Sequence, residues 1–457
     1  MKKISLTWLL CATYSLFAQS PASYVNPMIG TGGHGHTFPG ATMPFGFCQL
    51  SPDTRVDGSW DGCSGYHFSD SVIYGFSHTH LSGTGCSDYG DILLMPTSAS
   101  VGMKNYDYAS SFTHKNEKSS AGFYEVILDK GLIKAELTST LHCGIHRYTF
   151  PASAPQQIVL DLKHRDEVLS SHLEVLDDST VRGYRFSKAW ATNQKIFFYL
   201  RFSRPFTEVT YAQDVKSVSP TAPVFFDKQQ HALFQFGKSS LPLMVKVGIS
   251  GVDEEGAQKN LESEVASWNF ELYKNQASDA WDMELSKIKV YGNDENDKKV
   301  FYTALYHSMI SPNIFNDVDG RYRGRDDQIH STEGKFNYYT VFSLWDTYRG
   351  LHPLLTLIDK RRTLDFIQTF LKQYEQGGRL PIWELSSNET NCMIGYHAVS
   401  VILDAYVKGI RGFDTELALK AMKSAAKTDL FGINKFHEKG YLSIEDESES
   451  VSKTLEY

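Results

Sequence analysis

A chain of 457 residues, 41% hydrophobic and 21% charged, has the makeup of a globular protein of two or more domains, neither disordered nor collagenous. Its 45 Lys and Arg against 53 Asp and Glu leave a net charge of −8, and with the cations scattered along the chain nucleic acid is not expected as the main partner. The 28 Phe, 25 Tyr and 7 Trp suit stacking on sugar rings and a β-rich core equally.

Lys2 and Lys3 precede an apolar run, and Phe17-Ala18-Gln19 offers a small residue for cleavage, so residues 1–18 read as a secretory signal peptide and the protein as exported. No later window approaches the roughly 18 apolar residues that span a bilayer, so no membrane span is expected. Leu9-Leu10 before Cys11 lacks the small residue that lipid anchoring wants. Cys48, Cys63, Cys86, Cys143 and Cys392 are odd in number and widely spaced, which is not the pattern of a disulfide framework, and no C-x-x-C zinc motif occurs.

The stretch 26–91 is dense in Gly, His, Ser and Asp: GTGGHGHTFPGATMPFG (30–46), GSWDGCSGYH (58–67) and SHTHLSGTGCSDYGD (77–91). So much turn chemistry around polar groups implies loops shaped to hold something. His34 with His36, and His78 with His80, share a face if the chain is extended there. A metal site is one reading. Hydrogen bonding to backbone and carboxylates is the default, because no spacing here is specific to a metal. The glycines lack the strand–loop–helix context and the Lys of a phosphate-binding loop.

Short β-branched and aromatic runs at 123–128, 133–150, 158–162, 196–202, 232–236 and 244–252 predict a sandwich or barrel over 19–254. Near 255 the period changes. Leu261, Val265, Trp268 and Leu272 stand at helical spacing and open linker helices over 255–292. From 293 to 457 helical stretches follow at 297–310, 346–358, 361–375, 390–409 and 413–427. The fourth is apolar on nearly all sides (Met393, Ile394, Val399, Val401, Ile402, Leu403 and Val407) and is expected to be buried. Residues 447–457 open like a helix and stop without a terminating signal. Five helices and the start of a sixth imply an incomplete helical barrel.

In FSLWDTYRG (342–350), Trp345 and Asp346 fall where a loop meets a helix. An indole beside a carboxylate can stack on a pyranose and accept its hydroxyl protons; equally, Asp346 can cap the helix with Trp345 in the core. Trp383 and Glu384, with Asn388 and Glu389 after them, repeat the pattern before the apolar helix, which favours binding. Arg349 either orients Asp346 or covers the helix surface. No G-x-S-x-G elbow occurs, and Cys392 reads as packed.

The strings YVNPMIGTGGHGHTFPGATMPFG, DGCSGYHFSD, GFSHTHLSGTGCSDYGDI, FSLWDTYRGLHPLL, WELSSNETNCMIGYHA and ESVSKTLEY, spread over 24–457, resemble glycoside hydrolase family 92, calcium-dependent exo-α-mannosidases. The resemblance implies an N-terminal β-sandwich against an (α/α)6 barrel, a cleft between them, and removal of terminal α-mannose from mannans or N-glycans with inversion. It implies that Trp60 meets the second sugar and that Trp345 and Asp346 hold the terminal mannose, with Trp383, Glu384 and Glu389 near the cleft. It also implies that the general acid, the base and the calcium ligands follow Tyr457. The chain alone is then expected to be inactive and to need a downstream fragment. The competing expectation is an exported carbohydrate-binding protein without catalysis.

Overall fold

The computed structural model describes residues 19–99, 102, 104–211 and 231–457; the signal peptide expected over 1–18 lies outside them. Two antiparallel sheets face each other across one hydrophobic core. The first has seven strands in the order Ala41–Thr42, Gln49–Asp53, Gly75–Ser77, Leu93–Thr97, Gln156–Asp161, His231–Phe236, Glu208–Tyr211. The second has eight: Glu167–Val175, Thr180–Lys188, Gln194–Phe202, Leu243–Ser250, Cys143–Thr149, Ile133–Ser139, Phe123–Leu128, Glu117–Ser120. The run read as 133–150 is a hairpin, with Gly144 opposite Ser139 and Thr149 opposite Lys134. In the central strand LMVKVGIS, Leu243, Val245, Val247 and Ile249 point into the core at 0% exposure, while Lys246, Gly248 and Ser250 on the opposite face are buried as well.

The helices expected as a linker cover the sandwich. Glu254–Glu264 begins at Asp253, whose carboxylate accepts the Gly256 N–H at 2.7 Å and is gripped by Arg321. It lies on the second sheet, burying Ala257 and Leu261 against Cys143, Ile145 and Tyr199. A Cβ on Gly248 would sit 2.4 Å from the Ala257 carbonyl, so glycine at this point lets the helix close on the strand. The chain then breaks at Val265, and a second helix, Phe270–Leu285, starts at the Asn269 cap. The break separates residues whose spacing suggested one helix. Trp281, fully buried, donates its indole N–H to the Thr42 carbonyl at 2.7 Å and packs on Tyr306, tying this helix to both halves of the chain.

Beyond it stand Glu295–His307, Leu351–Ile358, Lys360–Gly377, Ala398–Val407, Thr415–Ala425, Ile433–Lys439 and Ser450–Glu456. Leu351–Ile358, Lys360–Gly377, Ala398–Val407 and Thr415–Ala425 pack on one another through Leu355, Phe366, Phe370, Val401, Ile402 and Ala418. This is a helical domain beside a β-rich one; the packing does not of itself establish the incomplete (α/α)6 barrel expected above. The helix expected over 390–409 starts only at Ala398, because Asn391, Met393 and Gly395 adopt positive φ of 55°, 69° and 83°. It is also not enclosed: Val401 and Ile402 are buried, whereas Leu403 and Val407 are 52% and 74% exposed. Among the described residues no helix is long and apolar enough to cross a membrane, and Cys48, Cys63, Cys86, Cys143 and Cys392 are all free thiols.

Candidate active site

The glycine-rich loops of the β-half fold over one end of the first sheet. His78 and His80 lie beneath them, fully buried and fully engaged. His78 Nδ1 sits 2.6 Å from the Ile92 carbonyl and its Nε2 3.0 Å from His146 Nε2. His80 Nδ1 sits 2.8 Å from the Gln49 carbonyl and its Nε2 3.2 Å from Asp53 Oδ1. For this pair the hydrogen-bonding reading of the sequence is the observed one. Burial pushes His78 down to about 4, so it is neutral at physiological pH.

Trp60 opens a short 3-10 turn, Trp60–Gly62, and stands 56% exposed above these loops. Its ring rests edge-on against His36, centroids 4.2 Å apart, and a Cβ on Gly85 would lie 2.9 Å from its Nε1. Gly85 leads into a seam between the halves of the chain: Leu81, Cys86, Tyr89 and Ala191 pack with Val341, Trp383 and Leu385, and Cys392 leans on them. Tyr89 and Ser386 hydroxyls meet across it at 3.0 Å, and Trp190 lies edge-on to Trp383.

Trp345 and Asp346 lie on the one-turn helix Leu344–Thr347. Asp346 does not cap that helix: it is exposed, and its partner is the Ser343 hydroxyl, which donates to Oδ2. Trp345 is half-buried, and its indole N–H, though buried, meets no acceptor among the described residues. Arg349 pairs with Glu456 at 2.6 Å and makes no bond to Asp346. Ser343 lies opposite Trp383 of the seam and donates to Asp346, which sets that carboxylate at the edge of the seam; burial chiefly, with the Asp346 and Glu449 carboxylates, pushes the Cys392 thiol up.

Trp383 and Glu384 occupy no helix mouth. They form the strand Trp383–Leu385, central in a small sheet between Phe342–Ser343 and Asn388–Glu389, with Ser343 opposite Trp383 and Glu384 opposite Glu389. Both are buried. Glu384 accepts from the Thr340 hydroxyl at 3.0 Å and the Ser387 N–H at 2.7 Å; Glu389 accepts the backbone N–H groups of Ile382, Trp383 and Asn391 at 2.9–3.0 Å. These carboxylates hold the sheet on which Ser343, and through it Asp346, is mounted. Sequence reasoning gave no part to Ser343, Gly85, Tyr89 or Ser386; a serine three residues before the Asp346 carboxylate was the one available signal.

Burial pushes Glu384 up from 4.5 to about 8. A carboxyl whose pKa rises on folding holds its proton more tightly when folded, so its contribution to stability is present below the unfolded value and lost as pH climbs through the folded one. Glu384→Gln, which mimics the protonated form, should therefore flatten the fall in melting temperature across that window. An unchanged slope of melting temperature against pH would contradict it.

Calcium takes six to eight oxygen donors. Among the described residues a single group of three or more His, Cys, Asp and Glu ligand atoms converges, namely His34, His36 and Asp61. Two of those donors are imidazole nitrogens, so the group does not fit calcium.

Two family models match the chain, the glycosyl hydrolase family 92 N-terminal domain over residues 24–250 and the family 92 catalytic domain over 256–457. The chain belongs to glycosyl hydrolase family 92. Among solved structures it is similar to a family 92 α-mannosidase of Bacteroides thetaiotaomicron in complex with mannoimidazole: TM-score 0.91, 38% identity, 96% of this chain and 60% of that one. A family 92 inverting mannosidase of the same organism matches at TM-score 0.86 and 27% identity over 96% of this chain and 60% of that one. An uncharacterized secreted glycosidase of Arthroderma benhamiae is 27% identical over 95% of this chain and 58% of its own length. The chain thus spans about three fifths of the length of these relatives. The match of the catalytic-domain model to 256–457 removes the support for three expectations: a catalytic portion missing altogether, an inactive chain, and a completing downstream fragment.

Proposed function

We propose that this chain belongs to an exported inverting α-mannosidase that removes terminal α-mannose, with Trp60, Trp345 and Asp346 on the substrate side and the helical domain built on the (α/α)6 plan. The observation that carries the reading is the pairing of an acceptor-less indole N–H on Trp345 with the exposed carboxylate of Asp346, one residue on, beside the seam between the domains. A buried polar group without a protein partner calls for an explanation, and a sugar hydroxyl supplies one. Indole faces receive the C–H face of a pyranose, and a carboxylate accepts from its hydroxyls. The mannoimidazole complex and the inverting mannosidase among the similar structures point to the same substrate class, and the secreted fungal relative to export.

Inversion needs one carboxylic acid to protonate the leaving oxygen and a carboxylate about 6.5–9.5 Å away to activate water. Glu384 and Glu389 are committed to internal partners, and Asp346 acts in this reading as a binding group. The test is proton NMR of the intact protein with an α-mannobioside. β-Mannose should appear before its α-anomer. α-Mannose appearing first would overturn inversion, and saturable binding without any release would instead support the non-catalytic carbohydrate-binding protein.

A further inference from the structure

We propose that His34, His36 and Asp61 form a binding site for one transition-metal ion of the zinc type, seated beneath Trp60. Their ligand atoms lie within 4.8 Å of one another. His36 is the anchor. It is 6% exposed, and its Nδ1 lies 3.0 Å from the Thr84 carbonyl, an acceptor that can only take a proton. That bond fixes the tautomer and leaves a bare lone pair on Nε2, which is buried and meets no partner among the described residues. The contrast with His78 and His80 is direct, since both nitrogens of each of those rings are occupied.

The backbone around His36 is built for this placement. Its own φ is +53°, a left-handed conformation rare for a residue with a side chain. A Cβ on Gly35 would lie 2.1 Å from the Gly30 carbonyl, so only glycine lets the loop cross itself between the two histidines. His34 Nδ1 and Asp61 Oδ1 stand 2.6 Å apart at the solvent side of the group. Zinc bonds to N and O donors at about 2.0–2.2 Å and, in open sites, takes three protein ligands and a water. The His34 side chain is 72% exposed and already meets Asp61, so the outer side of the group is open to that water. Two nitrogens and one oxygen suit zinc, copper or nickel and disfavour calcium. The Trp60 ring lies 4.2 Å from the His36 ring and 5.2 Å from His34, so a metal here would pin the exposed indole by clamping the loop of residues 30–37 to the turn that carries it.

The test uses the intact untagged chain, stripped with chelator and titrated with Zn²⁺ in the absence of any glycoside, so its outcome is independent of the mannosidase reading. Binding should saturate near one equivalent, whereas Ca²⁺ should give no saturation. Even outer-shell partners are worth about 10–100-fold in metal affinity, so His36→Gln, His34→Gln and Asp61→Asn should each weaken Zn²⁺ by more than about tenfold. His34 is exposed and Asp61 only half-buried, so those two variants keep the test valid if His36→Gln fails to fold. Cu²⁺ should quench a component of the tryptophan emission that disappears in Trp60→Phe. The absence of saturable Zn²⁺ binding, or binding that His34→Gln and Asp61→Asn leave unchanged, would overturn the assignment.

Discussion

Replacing Asp91 by Ala should destabilise the β-rich domain by about 3–5 kcal/mol, because it strands a fully buried guanidinium. Asp91 and Arg185 are both 0% exposed and 2.5 Å apart. Asp91 also accepts from the Thr79 hydroxyl and the Gln194 amide at 2.6 Å, so three donors lose their acceptor together. Arg185 in turn donates to the Leu162 carbonyl at 2.9 Å and to the Arg165 carbonyl, while Arg165 reaches the Cys63 carbonyl at 2.7 Å. The network therefore joins the second sheet to the loop that brings Gly85 against Trp60 and to the residue that follows the Trp60 turn. Asp166 limits the loss. Burial pushes its carboxyl up to about 7, with Arg185 and Arg165 drawing it down, and an Arg185 freed of Asp91 would hold it ionised. In a domain of this size the effect is a fall in melting temperature on the order of 10 °C by calorimetry. A buried ion pair replaced whole by apolar residues costs far less than one broken by half, so Asp91→Leu combined with Arg185→Met should lose less than either single change. Single variants that melt with the parent would refute the account.

That network also shows where the sequence stops being informative. Alternation and β-branched content predicted six strand-forming runs, and the change of period near 255 falls where Glu254–Glu264 begins. Glu167–Val175 and Thr180–Lys188 went unread, because Ser, His, Arg and Glu occupy positions that hydrophobic alternation expects to be apolar; Arg185 is one of them, buried by its partners rather than by its own chemistry. The stretch 390–409 reads as one buried helix, but composition carries no trace of the left-handed turns at Asn391 and Met393 that delay its start to Ala398. At the site, Trp60, Trp345 and Asp346 were legible as aromatic and acidic residues within loop chemistry. Trp383, Glu384 and Glu389 have the same local signature, yet their side chains lie inside a small sheet, because which side of a strand meets a seam is decided by pairing partners some forty residues away. His34 with His36 and His78 with His80 share one pattern and part company for the same reason: Asp53, Gln49 and His146 reach the second pair, and nothing reaches Nε2 of His36.

The two kinds of carboxylate can be told apart by experiment. Asp346→Ala should weaken binding of mannoimidazole, or of methyl α-mannoside, by about 10–100-fold, the loss expected when a hydrogen bond from an ionised group worth about 1.5–3 kcal/mol is removed. It should leave the melting temperature almost unchanged, because Asp346 is exposed and its protein partner is the single hydroxyl of Ser343. Ser343→Ala should weaken the same ligand more modestly by letting the carboxylate swing. Glu389→Ala should behave in the opposite way. Its side chain is 5% exposed and accepts three backbone N–H groups, so its removal leaves those donors unpaired and the Trp383 hairpin loosened. Stability should then fall first, with ligand affinity following only as the sheet beneath Ser343 gives way. Isothermal titration together with thermal melting of Asp346→Ala and Glu389→Ala separates the two roles. If Asp346→Ala binds the mannoside as tightly as the parent chain, the sugar does not sit on this carboxylate, and the seam beside Cys392 is structural throughout.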